Sequence, residues 1–148
     1  MMMKRCPLIF DNVLSAKAIC RSDEWYNMAL DLRNAVIKNG LYGTGPVIYQ
    51  MSKEDTDGRS EYTFYLPVNA PIQMVSNDKY AFYEKWKFDD GLVLRHADLS
   101  EDIGESYSII RAYAEEYNLI LEEPFYNIYL DVYGGGIVDI YAPILKER

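Results

Sequence analysis

The same punctuation closes two separate stretches of this 148-residue chain. Phe64-Tyr65-Leu66-Pro67-Val68 and Ile140-Tyr141-Ala142-Pro143-Ile144 each place a tyrosine two residues ahead of a proline inside an apolar run. Proline removes a ladder donor, so each run reads as a strand that ends there. Gly45-Pro46 opens the segment leading to the first and Glu123-Pro124 the segment leading to the second. Reading backwards from both, the order is a hairpin, a helix and a strand. One supersecondary unit used twice restricts the chain to an α+β fold. The expected architecture is a duplicated strand–helix–hairpin with two helices packed on an antiparallel sheet. The pseudo-repeats run from about 8 to 68 and 80 to 144. Neither half holds enough core alone, which argues for a single domain over 1–148.

The helices are set by periodicity. Trp25, Ala29, Leu32 and Val36 recur at helical spacing, with Ser22 and Asp23 as N-cap candidates and Asn39-Gly40 as the stop after Lys38. Ile103, Tyr107, Ile110, Ala114 and Tyr117 form a second stripe, starting near Asp98 or Ser100, where Asp98 and Glu101 suit a capping box. Strands are expected over 12–21, 47–51, 61–66, 72–75, 80–88, 92–96, 125–133 and 137–142, with Gly134-Gly135-Gly136 turning the last hairpin.

Alternation along that hairpin suggests a site. Val138, Ile140 and Ala142 lie on one face of the last strand and Asp139 and Tyr141 on the other. On the preceding strand Ile128, Leu130 and Val132 alternate with Tyr129, Asp131 and Tyr133. If both aliphatic sets turn toward the helices, the tyrosines and acids share the opposite side. Tyr65 from the first repeat falls there by the same rule, and Tyr49 is a further candidate. One reading is a solvated sheet face with cross-strand tyrosine pairs. The other is an aromatic cleft with a carboxylate at its floor. A half-buried carboxylate takes up a proton or waits for a cation, and ring faces attract cations as well.

Charge and composition narrow the partners. Lys plus Arg number 15 against 23 acidic residues, a net charge of −8. That balance argues against duplex DNA and anionic membrane and favours neutral, cationic or basic partners. Two cysteines, Cys6 and Cys20, and one histidine, His96, make neither a disulfide framework nor a metal site. No cofactor and no metal is implied. No apolar run approaches the roughly 18 residues of a membrane helix, and residues 1–10 lack a signal h-region, so a cytoplasmic location is expected. His96 could act as a base, but no nucleophile is evident beside it, so no catalytic residue is assigned.

The order of these segments resembles the GyrI-like fold, the bacterial effector-binding domain. The similarity runs through Gly91-Leu92-Val93-Leu94-Arg95-His96-Ala97-Asp98, Ile103-Gly104-Glu105-Ser106-Tyr107, Pro124-Phe125-Tyr126-Asn127-Ile128-Tyr129-Leu130-Asp131 and Val138-Asp139-Ile140-Tyr141-Ala142-Pro143-Ile144. In that family an acid four positions before the proline faces an aromatic cleft and, in drug-sensing members, binds cations. Asp139 stands there, where glutamate is commoner. Tyr62-Thr63-Phe64-Tyr65-Leu66-Pro67 and Tyr129-Leu130-Asp131-Val132-Tyr133-Gly134-Gly135 also resemble a GyrI-like branch found with type VII secretion toxins in Gram-positive bacteria. The resemblance implies a non-catalytic binding module. Its partner would be a protein client such as a toxin held before export, or a small hydrophobic cation. Hydrolytic relatives of the fold leave a third, weaker alternative. The ligand-binding set is then Asp139, Tyr141, Tyr65, Tyr129, Tyr133, Asp131 and Tyr49.

Overall fold

Alternating apolar and polar positions build strands, and two amphipathic segments build helices, in a computed structural model that describes residues 3–97, 102–132 and 135–148. In chain order the elements are β1 (Lys4–Arg5), β2 (Leu8–Arg21), α1 (Trp25–Lys38), β3 (Ile48–Met51), β4 (Arg59–Pro67), β5 (Tyr80–Phe88), β6 (Gly91–His96), α2 (Ile103–Glu116), β7 (Leu119–Leu121), β8 (Tyr126–Val132) and β9 (Gly135–Glu147). The chain forms two compact units. The first is Ile9–Trp86, and the second joins Lys87–Arg148 to the residues before Ile9. Most of β5 lies in the first of these units. No helix among the described residues is long and apolar enough to cross a membrane.

In the first unit the strand order is β3-β4-β2-β5. The β2–β4 register pairs Leu14 with Leu66, Ala16 with Phe64 and Ala18 with Tyr62. Paired residues of an antiparallel ladder project to the same side, and this side meets α1. Ala29, Leu32 and Val36 of α1 join Tyr62, Phe64 and Leu66 in one buried cluster. The helix starts later than its expected caps at Ser22 and Asp23. Glu24 is its N-cap, and the Glu24 carboxylate turns back to accept the Arg21 N–H at 2.9 Å. At the other end Gly40 has φ +80°, a conformation that favours glycine and ends the helix.

In the second unit the order is β1-β6-β9-β8, with β7 also on β9. Leu92, Leu94, Val138, Ile140 and Ala142 pack with Ile110 and Ala114 of α2. Asp102 caps α2, its Oδ1 accepting the Gly104 N–H at 2.9 Å; the expected cap residues Asp98, Ser100 and Glu101 lie outside the described residues. β1 is held by Arg5, which bridges to Asp90 at 2.6 Å and to Glu147.

Two expectations fail for identifiable reasons. Residues 72–75 form no strand. Pro71 lacks a donor, Val75 is 89% exposed, and the backbone hydrogen bonds fall at the flanks, where the Asn69 N–H reaches the Tyr42 carbonyl and the Asn77 N–H the Tyr80 carbonyl. Pro143 does not end its strand either. β9 continues to Glu147 because Pro143 pairs with Gly91, its carbonyl accepts the Glu122 N–H at 2.9 Å, and β7 takes over as partner from Ile144 onward.

Gly91 and Tyr141 are interlocked. The Tyr141 side chain is fully buried, and its hydroxyl donates to the Cys6 carbonyl at 2.8 Å, linking β9 to the chain between β1 and β2. A Cβ on Gly91 would stand 2.3 Å from Tyr141 Cζ and 2.4 Å from its hydroxyl oxygen. Gly91 is thus fixed by close approach. Gly91→Ala should lower the unfolding free energy by about 1–3 kcal/mol through overpacking, measured by urea denaturation. An unchanged midpoint would mean that Tyr141 has room to move.

Candidate functional site

The β8–β9 register decides what shares a face with Asp139. It pairs Ile128 with Asp139, Tyr126 with Tyr141 and Leu130 with Ile137. Arg95 and Val93 of β6 stand opposite Asp139 and Tyr141. The side of this sheet turned away from α2 therefore carries Asp139 and Tyr141 with Tyr126, Ile128, Leu130, Ile137, Val93 and Arg95. Phe88 adds a ring, with its centroid 5.1 Å from that of Tyr126 and 5.9 Å from that of Tyr141.

Tyr129 does not belong to this set. It pairs with Val138, and Asn127 pairs with Ile140, so both face α2, and Tyr129 packs against the buried cluster there. Period-2 alternation holds within β8, in the phase opposite to the expected one. Aliphatic residues occupy the helix-free side of β8 because that face is itself apolar, with Tyr126 and Ile128 buried. Asp131 pairs with Gly136, but its side chain lies outside the described residues, as does Tyr133. Tyr49 is also displaced from the expected set. It pairs with Phe64, is buried in the cluster under α1, and stacks on Trp25 at 4.4 Å. Tyr65 does sit on the helix-free side of its own sheet. There it stacks on Trp86 at 4.7 Å, meets Tyr83 at 6.5 Å, and donates to Gln50 Oε1 at 3.3 Å. Tyr65 and Tyr141 are both buried, so neither is a wet tyrosine surface.

Asp139 has a partner that strand alternation alone did not name. Arg95 grips it with both prongs, Nε to Oδ1 at 2.8 Å and Nη2 to Oδ2 at 3.1 Å. The acid is 19% exposed and the arginine 58%. The pair is a cross-strand neighbour set, legible once Arg95 is placed in register with Asp139. Among the described residues Arg95 is the one cation within ion-pair reach of this carboxylate. The charge is thus neutralised from the solvent side, while Ile128 and Ile137 flank it on the sheet.

A second polar group lies under α2. Tyr107 donates to Asn127 Oδ1 at 2.6 Å, and Asn127 is fully buried. His96 Nδ1 and Ser106 Oγ are 2.9 Å apart, with exposures of 4% and 2%. No spacing in the sequence marks this Ser–His contact, since it depends on where α2 crosses the end of β6. Ser106 and His96 are both buried, and a nucleophile needs access to a substrate. Burial pushes the Tyr107 hydroxyl up to about 12, against the opposing pull of Asn127 and Arg111.

These arrangements can be set beside known proteins. The model of a family described as a domain of unknown function, DUF5085, matches residues 9–145. No curated protein matches the chain in sequence. Among solved structures, the EcmrR C-terminal domain is 14% identical with a TM-score of 0.71, each chain covered to 99%. In an EcmrR–DNA complex the TM-score is 0.75, and 99% of this chain covers 58% of that one, so the chain spans little more than half of EcmrR. A hydrolase from Listeria innocua is 13% identical with a TM-score of 0.67, over 96% of this chain and 91% of that one. SAV2435, solved bound to tetraphenylphosphonium, is 11% identical with a TM-score of 0.54, over 97% and 94%. At these identities the likeness is one of fold. It is an α+β fold, two helices on antiparallel strands, consistent with the GyrI-like fold.

The raised Tyr107 hydroxyl carries a stability signature. Below pH 10 the phenol is protonated in both folded and unfolded chains, and its contribution is complete. Between 10 and about 12 the unfolded chain releases the proton while the folded chain keeps it, so stability falls as pH rises. The loss amounts to about 2–3 kcal/mol. Tyr107→Phe should cost about 1–3 kcal/mol at neutral pH by removing the hydroxyl from buried Asn127. Urea unfolding at pH 8 and pH 11.5 should then show the gap between the two proteins closing. A gap independent of pH would contradict the assignment.

Proposed function

The chain belongs to the DUF5085 family, and we propose that it is a non-catalytic binding module for a small hydrophobic cation, taken on the helix-free face of the second unit. One observation carries this reading. Asp139 is four-fifths covered on an apolar sheet face, yet among the described residues its charge is balanced by one arginine that is more than half exposed. Removing a carboxylate from water costs several kcal/mol unless a cation compensates. An exposed ion pair contributes only about 0–1 kcal/mol. Arg95 is therefore a partner that a competing cation can displace, provided the newcomer also covers apolar surface. Ile137 and Val93, both only partly buried, offer that surface beside the acid, and Phe88, also partly buried, adds a ring, whose face attracts cations. The fold shared with SAV2435, which binds tetraphenylphosphonium, supports the same reading.

The hydrolase alternative is disfavoured by the burial of Ser106 and His96. A second binding reading rests on a different observation. Tyr26, Leu30 and Ile37 are exposed at helical spacing along α1, a stripe suited to a protein surface. With a net charge of −8 the client would be basic. A type VII secreted toxin held before export is such a client, and co-purification with the products of neighbouring genes tests it.

Calorimetric titration with tetraphenylphosphonium tests the primary reading. Asp139→Asn should weaken binding by about 1–3 kcal/mol, and Arg95→Ala should tighten it a few-fold by removing the competitor. An affinity indifferent to both substitutions would place the cation elsewhere. No binding at all, together with recovery of a protein partner that is lost on changing Tyr26, Leu30 and Ile37 to serine, would replace this reading with the second.

A further inference from the structure

We propose that the first unit holds a separate binding site for a neutral apolar molecule, in the cleft between the C-terminal half of α1 and the strand-free segment after Pro71. The cleft has a volume of about 580 Å³, within the size range of pockets that take drug-sized ligands. Leu32 and Val36 of α1 and Leu14 of β2 form its floor, Ile72 forms one wall, and Tyr80 stands at the start of β5. Among the described residues no aspartate, glutamate, lysine or arginine lines it, and Lys79, whose Nζ stands 5.3 Å from the centroid of the Tyr80 ring, lies outside the lining.

Three features fix the chemical class of the occupant. The absence of lining charge gives neither an anion nor a cation a partner, and desolvating an unpaired ion is prohibitive. Leu14, Leu41, Ile72 and Tyr80 are only partly buried although they pack on the core cluster, so apolar surface within the cleft remains wet. Burying it on a ligand is favourable. The polar groups are few. Asn39, at the end of α1, donates one amide N–H to the Ala35 carbonyl at 2.7 Å, and among the described residues Tyr80 brings the one hydroxyl of the lining. A neutral molecule with a hydrophobic body and at most one or two hydrogen-bonding atoms fits this environment. The wall at Ile72 can adapt, because its segment belongs to no ladder and is fastened at Asn69 and Asn77.

This site is independent of the cation reading, since it uses none of the same residues. N-phenyl-1-naphthylamine, a neutral apolar fluorophore, is the probe. The native protein should enhance its fluorescence saturably at one equivalent. Ala35 lies on the exposed side of the cleft mouth, so Ala35→Trp should fill the space without unfolding the unit, checked by an unchanged thermal melt. It should weaken the probe at least tenfold. Ile72→Lys, which places a charge in the wall, should do the same, while Asp139→Asn should leave probe binding unchanged. No saturable binding by the native protein, or equal binding by Ala35→Trp and Ile72→Lys, would overturn the proposal. Loss of probe binding in Asp139→Asn would move the site to the other unit and overturn it equally.

Discussion

The pairing of β9 with its two neighbours is the constraint on which the second unit depends. With Leu94 set against Ile140 and Asn127 set against Ile140 from the other side, every side chain of three strands is assigned to a face, because successive residues of a strand alternate. A slip by one residue would expose Leu92, Leu94, Val138 and Ile140 and drive Arg95 and Asp139 under α2. That is costly for the aliphatics and prohibitive for the charges. The contact between Tyr141 and Gly91 reinforces the register at one point, since the ring fits only over a residue with no side chain.

Much of this was legible in the sequence. The twofold strand–helix–hairpin order, both helices and the separation of Asp139 and Tyr141 from Val138, Ile140 and Ala142 follow from periodicity, which the structure obeys because apolar burial dominates there. The phase of β8 was not legible. Its alternating residues are tyrosines, aliphatics and an asparagine, and a tyrosine can serve either face. Assigning aliphatics inward put Tyr129 on the wrong side, whereas Ile128 and Leu130 face away from α2 and Asn127 is buried beneath it. Tyr49 failed for the same reason. Its ring is core material against Trp25, and hydropathy alone could not distinguish that from a ring in a cleft.

The polar interior under α2 shows a related limit. His96, Ser106, Tyr107 and Asn127 come from three separate elements, and their meeting depends on the crossing of a helix over two strands. Such contacts have no sequence spacing to betray them. Their hydrogen bonds satisfy groups that would otherwise be costly to bury, and they give the α2 interface a directional component that aliphatic packing lacks. α1 meets its sheet through Ala29, Leu32 and Val36 and a stack of Trp25 on Tyr49, so the two units share an architecture while differing in the polar contacts that help each helix seat in one position.

The space taken by the Tyr141 ring has a consequence for the history of the fold. A descendant that gains a side chain at the site of Gly91 loses stability for as long as the Tyr141 ring stands there, and shrinking that residue gives up the hydroxyl anchor to the Cys6 carbonyl. These two positions, fifty residues apart, are therefore more easily changed in one order: the ring before the glycine.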